Sequence, residues 1–342
     1  MKSLLVASAF IAIIFPSLAS RSDICEPNHP QCQPAPTVTP TPTPTPTPPP
    51  AGVDLQALVN AAGPGATIAY SGSWSGALLI DKPLTIHGGR INGSVRITAN
   101  NVTLREMTVL GPQSASYVSS QNAIYAEGVS GVVLDRVEAG NVGNAAVRLH
   151  FVTGFQILMP NIYDAVYAGI ITTSSTDGLI EGGTVSRIGV TGSEANSGNA
   201  YGITLTRFGQ VDPKAARITV RGVTVTDVPT WHGLDTHGGL FIVFENNTIR
   251  GTYRGIMLTG YGGQDNIARG NLIEQSSRPE AGRGVLVSDN QRYQIKGNTI
   301  IGPLPTGIRV LAGSCGAISG NTITNVGTLI YDLGSQCSMN SG

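Results

Sequence analysis

The chain has 342 residues, and its 21 basic and 21 acidic side chains give a formal net charge of zero. This balance gives no support for nucleic acid or an acidic membrane surface as a partner, because both bind basic patches. Only 12% of the residues are charged, and the 44 glycines exceed the share expected of an ordinary globular domain. We therefore expect no nucleic-acid partner.

Residues 1–19 are predicted to be a secretory signal peptide. Lys2 precedes an apolar run at residues 4–15, and Ser17 and Ala19 supply the small residues of a cleavage site. A single membrane span is the alternative, but the run is short and lacks a basic flank after it. We expect the mature protein to be secreted, periplasmic or at the cell surface, without a membrane span, and to be a monomer.

Residues 20–50 combine two cysteines with a linker in which proline and threonine alternate. Such a linker is stiff and extended and has no core, so we place the folded domain at residues 51–342. Four cysteines without a CxxC pair suit an exported protein with disulfides and disfavour a zinc–thiolate site. The two predicted disulfides are Cys25–Cys32 and Cys315–Cys337.

Residues 53–62 are predicted to form a short amphipathic helix. Leu55, Leu58, Val59 and Ala62 recur with helical spacing. The Gly-Pro-Gly sequence at residues 63–65 ends the pattern. We expect this helix to cover the open end of the domain that follows, which otherwise exposes an apolar core and unpaired strand edges.

A repeat occupies the rest of the chain. Segments rich in β-branched residues recur at intervals of 23 to 27 residues in the later part, with their anchor positions at Thr224, Thr248, Leu272, Thr299 and Thr322. Such a period, with short strands and Gly/Asn turns, is typical of a solenoid. A second strand follows each anchor after a variable spacing. One variable turn per coil is therefore predicted to carry function.

Two smaller patterns accompany the repeat. One asparagine occupies the same turn position in four successive coils, which predicts a ladder of stacked amides: Asn247, Asn271, Asn298 and Asn321. The second strands open with a glycine, at Gly169, Gly202, Gly233, Gly255, Gly284 and Gly307. We expect these glycines to leave a low floor beneath a chain-like ligand.

Residues 55–68 and 76–91, the latter including Leu84-Thr-Ile-His-Gly-Gly-Arg90, resemble the first coils of the pectin-lyase-like superfamily. The Gly-Asn-Thr-Ile repeats resemble its later coils. The resemblance implies an all-β fold, a right-handed parallel β-helix with a short N-terminal capping helix. It implies less about chemistry, because that superfamily holds lyases, hydrolases, epimerases and adhesive or phage-tail proteins.

Residues 231–239 hold two of the five histidines on either side of a carboxylate. Because strand side chains alternate, Asp235 and His237 share a face, and the repeat places that face outward. The repeat also aligns His232 with Tyr201, Arg254 and Arg283 at the variable turn. Such a series suits an anionic sugar chain, since guanidinium groups bind carboxylates and aromatic rings stack on sugars.

The chemistry of the uronate-modifying enzymes that residues 232–237 resemble suits these positions. An imidazole would remove the proton next to the uronate carboxylate, Asp235 would orient it, and an arginine would neutralise the carboxylate. The candidate catalytic residues are Asp235, His237, His232 and Arg254. The candidate substrate-binding residues are Tyr201, Arg283, Thr204, Thr206, Trp231 and Tyr261.

The sequence His-Gly-Leu-Asp-Thr-His at residues 232–237 resembles the Tyr-Gly-Phe-Asp-Pro-His motif of mannuronan C-5 epimerases, which have alginate lyase relatives. The resemblance implies that Asp235 and His237 lie in an active site. His232 replaces the motif tyrosine, which takes part in proton transfer, but Tyr201 in the preceding coil is able to supply a phenol. We predict a β-eliminating lyase or a C-5 epimerase acting on a uronate-containing polysaccharide.

Two other functions fit the same fold. A glycoside hydrolase needs two carboxylates, about 5 to 9 Å apart, and Asp235 would have to find its partner in a loop. The loop candidates are Glu194, Asp212, Asp265 and Glu280. A non-catalytic carbohydrate-binding or adhesive solenoid is the third interpretation. We predict no cofactor; a divalent cation such as calcium stays open, although no cluster of acids indicates one.

Overall fold

The computed structural model describes residues 52–192, 198–207, 209, 213–275 and 282–334. The predicted signal peptide, the linker, Cys25, Cys32 and Cys337 lie outside the described residues. The domain boundaries and both disulfides therefore stay predictions. Three of the loop carboxylates also lie outside the described residues, namely Glu194, Asp212 and Glu280.

The described chain is almost entirely β-structure, wound as a right-handed parallel β-helix in which the strands form one continuous parallel sheet. The first strands are β1 (Ala66–Ala69), β2 (Ser73–Ile80), β3 (Leu84–His87), β4 (Arg90–Ile97), β5 (Thr103–Arg105), β6 (Thr108–Leu110), β7 (Ile124–Glu127), β8 (Val133–Asp135), β9 (Glu138–Val142), β10 (Ala145–His150), β11 (Gln156–Leu158), β12 (Asn161–Ala165) and β13 (Ala168–Thr173). The later strands are β14 (Thr176–Glu181), β15 (Thr184–Ser186), β16 (Tyr201–Thr206), β17 (Ala216–Arg221), β18 (Thr224–His237), β19 (Val243–Glu245), β20 (Thr248–Gln264), β21 (Ile267–Arg269), β22 (Leu272–Glu274), β23 (Arg283–Lys296), β24 (Thr299–Val310), β25 (Cys315–Ser319) and β26 (Thr322–Asp332).

Each coil passes through three faces, and each strand pairs with the equivalent strand of the next coil. Face A runs through β11, β14, β17, β19 and β21. Face B runs through β9, β12, β15 and the first part of β18. Face C runs through β7, β10, β13, β16, the last part of β18, and the middle of β20. The predicted anchors begin face B, and the predicted second strands form face C.

The interior is a stack of aliphatic side chains contributed at the same position by successive coils. On face C this column is completely buried and consists of Ile170, Ile203, Leu234, Ile256, Val285 and Ile308. Burying one such side chain stabilises the fold by roughly 1.5–3 kcal/mol. A repeat that cannot bury its apolar side alone is therefore stabilised by its neighbours.

The N-terminal end is covered by helix α1 (Leu55–Ala61), as predicted. Leu55 and Val59 are buried against the first coils. Asp54 caps the helix, because its Oδ1 accepts a hydrogen bond from the Gln56 backbone N–H at 2.9 Å. Across the described part of the chain, no helix has the length and apolar character needed to cross a membrane.

The four repeat asparagines form the amide ladder between faces A and B. The backbone N–H and the Nδ2 of Asn247 both donate to Asn271 Oδ1, at 3.0 and 2.9 Å. The same pair of bonds links Asn271 to Asn298, and Asn298 to Asn321. Asn247, Asn271 and Asn298 are almost completely buried, so the ladder satisfies polar groups that would otherwise be costly in the core.

The glycines that open the face C strands do not form a ligand floor, so that prediction was wrong. They are buried, and a Cβ atom at each would point into the interior. At Gly307 such a Cβ would lie 2.5 Å from Ile323 Cγ2 and 2.8 Å from the Leu329 carbonyl oxygen. A Cβ atom at Gly284 would be confined in the same way, by Ile300 and Gly307. The glycines instead let face C approach the aliphatic side chains of face B.

Long connections border face C on both edges. The connection between β6 and β7 and the connection between β15 and β16 enter face C from face B, at the predicted variable turn. The connection between β16 and β17 leaves face C for face A, where the repeat predicted constant length. Long connections therefore border both edges of face C around β16 and β18.

Gly307→Ala is expected to destabilise the protein by about 1–3 kcal/mol, because the added methyl group overpacks the core. Chemical denaturation would measure this change. Gly63→Ala is the matched control, since nothing lies within 4 Å of a Cβ at Gly63, and we expect it to change the free energy of unfolding by no more than about 0.5 kcal/mol. Equal effects of the two variants would contradict the inward packing of Gly307.

Candidate active site

The last part of β18 places the candidate residues on face C. Leu234 and Thr236 are completely buried on the interior side, so Asp235 and His237 lie on the other side of the strand. Asp235 pairs in register with Thr204 of the preceding coil and Met257 of the next. The predicted columns are therefore present. Neighbouring coils align His237 with Thr206 and Thr259, and align His232 with Tyr201 and Arg254.

Asp235 is completely buried, and both its oxygens accept hydrogen bonds. Oδ1 accepts from His232 Nδ1 at 3.0 Å, while Oδ2 accepts from Thr204 Oγ1 at 2.7 Å and from His237 Nδ1 at 2.7 Å. Burial alone would raise the pKa of Asp235, but the charge of His237 and the two histidine hydrogen bonds outweigh it and hold the pKa below its usual range. Asp235 is thus an ionised carboxylate that orients two imidazoles.

His232 is a neutral bridge between Arg254 and Asp235. Its Nε2 lies 3.1 Å from Arg254 Nη1, and a guanidinium group can only donate, so Nε2 is the acceptor. The proton must therefore be on Nδ1, where it is donated to Asp235. Burial lowers the pKa of His232, which keeps the ring neutral. Its lone pair is already used, so His232 positions its neighbours rather than removing a substrate proton.

His237 is the histidine that is free to exchange a proton with a ligand. Its side chain is 29% exposed, whereas that of His232 is 2% exposed. Its Nδ1 is fixed by Asp235, and its Nε2 makes no hydrogen bond within the described residues. The negative charge of Asp235 raises the pKa of His237, with burial opposing the shift. An imidazole held by a carboxylate in this way is suited to general acid/base chemistry near neutral pH.

Tyr201 packs edge-on against both histidines. Its ring centroid lies 5.4 Å from that of His232 and 6.1 Å from that of His237. Burial, and then the charge of Asp235, raise the pKa of the Tyr201 phenol far above its usual value, so the hydroxyl stays protonated. Tyr167 packs edge-on against Tyr201 in turn, and burial raises its pKa to about 12.

Arg254 is a cation held between aromatic rings. Its guanidinium carbon lies 4.5 Å from the Trp231 ring centroid and 5.1 Å from that of Tyr253. The partly exposed Arg254 is fixed by these rings and by His232. Arg283 follows in register on the next coil, and burial, then the charges of Arg309 and Arg254, lower its pKa. Repulsion between these neighbouring guanidinium groups favours the binding of an anion, which would neutralise them.

The remaining candidates divide into supporting and peripheral positions. Thr204 is 2% exposed and donates to Asp235, which makes it a support for the carboxylate rather than a substrate contact. Trp231 stacks on His232 with ring centroids 4.8 Å apart. Thr206 is half-buried beside His237. Tyr261 is 48% exposed, with its ring 6.5 Å from His237, which suits a substrate contact.

Sequence reasoning missed Tyr253 and Tyr167. Tyr253 stacks with Trp231 at 6.3 Å and contacts the Arg254 guanidinium. Tyr253 directly precedes Arg254, as Trp231 precedes His232, and Tyr167 precedes Ala168, which pairs in register with Tyr201 at the variable turn. The signal was therefore a second column of aromatic residues, one position before the first. The loop carboxylate Asp265 is engaged by Arg292 at 2.6 and 2.7 Å.

The donor set does not fit a metal ion. Both histidine Nδ1 atoms are directed at Asp235, and the Nε2 of His232 faces the positive charge of Arg254. Within the described ranges, no group of three or more His, Cys, Asp or Glu residues has an arrangement that could hold a metal.

Comparison with known proteins identifies the fold. A family model described as "Right handed beta helix region" matches residues 183–341. No curated protein matches the chain in sequence. The A-module of a mannuronan C-5 epimerase from Azotobacter vinelandii matches with a TM-score of 0.59 and 18% identity, over 82% of this chain and 92% of that chain.

Two further solved structures match at similar levels. An alginate lyase from Paenibacillus sp. has a TM-score of 0.56 and 16% identity, over 82% of this chain and 96% of that chain. A mutant tailspike protein of E. coli bacteriophage HK620, in complex with a pentasaccharide, has a TM-score of 0.58 and 16% identity, over 82% of this chain and 60% of that chain. The chain thus has the right-handed parallel β-helix fold, which confirms the fold prediction.

Asp235→Asn is expected to lower the pKa of His237 from above the 6.5 of a free imidazole to below it, because burial then dominates. NMR titration of the histidine ring signals would measure both pKa values. In the unsubstituted protein the ion pair stabilises the fold fully below pH 6.5, and this stabilisation is lost as pH rises through the folded pKa. Thr204→Val, which removes a hydrogen bond but no charge, should leave the His237 pKa raised. An unchanged pKa in Asp235→Asn would contradict the pairing.

Proposed function

We propose that the protein is a polysaccharide-active enzyme that removes the proton next to the carboxylate of a uronate residue, as a β-eliminating lyase or a C-5 epimerase. The observation that carries this proposal is the Asp235–His237 pair, whose partly exposed imidazole lies on the same strand as His232, the residue that contacts the Arg254 cation. The solved structures that resemble the chain include an epimerase and a lyase, and they support the same class of chemistry without assigning it.

The first step transfers a proton from sugar C5 to His237 Nε2. The electron pair left at C5 delocalises into the uronate carboxylate, where negative charge increases. Arg254, and Arg283 on the next coil, are the cations that would stabilise this charge. Asp235 stabilises the imidazolium that forms, and it keeps the imidazole in the tautomer whose Nε2 accepts the proton.

The second step separates the two reactions. In a lyase, the C4–O4 bond breaks, a C4–C5 double bond forms, and the departing O4 takes a proton from a donor. In an epimerase, C5 takes a proton on its opposite side and the C4–O4 bond stays intact. Tyr201 is the donor we propose for either step, because its phenol remains protonated and packs against His237. Proton exchange with water then restores both residues.

Glycoside hydrolysis fits the geometry less well. It requires a carboxylic acid and a carboxylate that reach the sugar, one as proton donor and one as base or nucleophile. Asp235 is completely buried, its oxygens accept three hydrogen bonds, and its pKa is lowered, so it is suited to neither role.

His237→Ala is expected to reduce activity by roughly 10²-fold or more, because it removes the general base. The assay would offer alginate, pectate and a glycosaminoglycan, with a neutral glucan for comparison. It would follow ultraviolet absorbance of 4,5-unsaturated products, new reducing ends, and uptake of solvent deuterium at C5. His87→Ala is the matched control, since His87 is exposed and paired with Glu106. It lies on β3, which continues through β5 and β8 into face A.

The readouts separate the possible functions. Unsaturated products together with new reducing ends indicate a lyase, whereas deuterium uptake without chain cleavage indicates an epimerase. New reducing ends without unsaturation indicate a hydrolase. Full activity of His237→Ala would overturn the role of His237 as the base, whereas binding of a polyuronate without turnover would overturn the proposed reaction and leave the binding solenoid.

Arg254→Gln is expected to lower kcat by about 10²–10³-fold with a smaller change in KM, because charge stabilisation is needed mainly in the transition state. Steady-state kinetics on the best substrate of the screen would measure both constants. Arg250→Gln is the matched control, because Arg250 lies on the same strand and pairs with Glu274 outside the site. A raised KM with unchanged kcat would contradict the proposed role of Arg254.

A further inference from the structure

Asp235 belongs to a column that runs along face C with one residue from each coil. The register in chain order is Arg96, Tyr125, Arg148, Ile171, Thr204, Asp235, Met257, Leu286, Arg309 and Tyr331. An arginine lies three coils before Asp235 and another lies three coils after it. Each of these arginines is next to a tyrosine, so the column has an arginine–tyrosine pair on both sides of the site.

The N-terminal pair is centred on Tyr125, a half-buried residue of β7. The guanidinium carbons of Arg96 and Arg148 lie 5.7 and 5.9 Å from the Tyr125 ring centroid, in the coils before and after it. Glu127 lies 3.5 Å from Arg96 and offsets part of its charge. Arg148 is therefore the uncompensated cation of this pair.

The C-terminal pair consists of Arg309 and Tyr331. The guanidinium carbon of Arg309 lies 5.4 Å from the ring centroid of Tyr331, which is 44% exposed. Arg309 also contributes to the lowered pKa of Arg283. This pair therefore continues the positive charge of Arg254 and Arg283 toward the C-terminal coils.

Arg148 and Arg309 differ from the arginines on other parts of the coil surface. Typical arginines there are ion-paired: Arg221 with Glu181 at 2.9 Å and Arg292 with Asp265 at 2.6 Å. Neither Arg148 nor Arg309 forms an ion pair with a carboxylate in the described segments. Their Nε atoms are buried without a hydrogen-bond partner there. A desolvated, unneutralised guanidinium beside an accessible ring is suited to a carboxylate on a sugar.

The positions of the two pairs match an extended polymer. They are six coil steps apart, or roughly 29 Å at about 4.8 Å per step. One sugar unit of an extended uronan is about as long as one step, so a chain of about seven units would reach from Arg148 to Arg309. The residues between them on the column are uncharged apart from Asp235, whose charge is covered by the histidines.

We propose that the Arg148–Tyr125 and Arg309–Tyr331 pairs are outer subsites that bind carboxylated sugars three units to either side of the reacting one. This inference rests on the function proposed above and adds its mode of action. A chain bound at both subsites reacts in its interior, so the enzyme is endo-acting and requires a long polyuronate for full efficiency.

Arg148→Ala and Arg309→Ala are each expected to raise KM on a long polyuronate by about tenfold, equivalent to about 1.4 kcal/mol, with unchanged kcat. On a uronate trisaccharide, which is too short to reach either subsite, both variants should match the unsubstituted enzyme. Chromatography of early products should show long fragments for the unsubstituted enzyme if it cleaves the chain. If it epimerises, NMR should locate the converted residues in chain interiors. Arg221→Ala, on face A, is the matched control.

A binding measurement keeps this test independent of turnover. Affinity electrophoresis through gels containing alginate, pectate or dextran would compare His237→Ala with the same protein also carrying Arg148→Ala and Arg309→Ala. Retardation by one acidic polymer that is lost in the triple variant supports the subsites. Equal retardation of both proteins would overturn the subsites and leave the proposed function standing. Retardation by no acidic polymer would overturn both.

Discussion

The parallel register between successive coils is the constraint on which both the fold and the site depend. A step of about 4.8 Å places equivalent residues directly beside one another, and each position therefore becomes a column with one chemical character. Aliphatic columns fill the interior, the Asn247–Asn321 ladder satisfies buried polar groups, and inward glycines keep faces B and C close. Because these three columns fix the register, a functional residue on face C has defined neighbours in the adjacent coils.

The hydrogen bonds of Asp235 depend directly on that register. A completely buried carboxylate is costly unless it is paired and hydrogen-bonded. Its donors come from its own strand, at His232 and His237, and from Thr204 in the preceding coil. A shift of one residue between β16 and β18 would remove Thr204 from Oδ2 and reverse the face on which it lies. The same carboxylate gives opposite roles to two histidines: His232 is buried and neutral, whereas His237 is partly exposed and has a raised pKa.

The sequence predicted most of this arrangement because it depends on periodicity. The coil period predicts the fold, and it aligns Asp235 with Thr204 and His232 with Arg254, as the register shows. Three features could not be predicted, because they depend on how strands and side chains are oriented in space, which the repeat period does not give. The inward orientation of the glycines needs the angle between faces B and C. The His232–Asp235 bond needs the bend of β18 at the corner, and the charge state of each histidine needs its burial.

The distribution of arginine partners separates structural from functional surface on this helix. Arginines such as Arg187, Arg217 and Arg250 have a carboxylate one coil away, and such exposed pairs contribute little to stability. On face C, Arg254 lies on aromatic rings and donates to a neutral histidine instead. The Nε of Arg254, like those of Arg148 and Arg309, is buried without a partner among the described residues, which costs folding free energy. This cost recurs along face C on both sides of the Asp235–His237 pair. It is accounted for if an anionic chain supplies the missing acceptors when it binds.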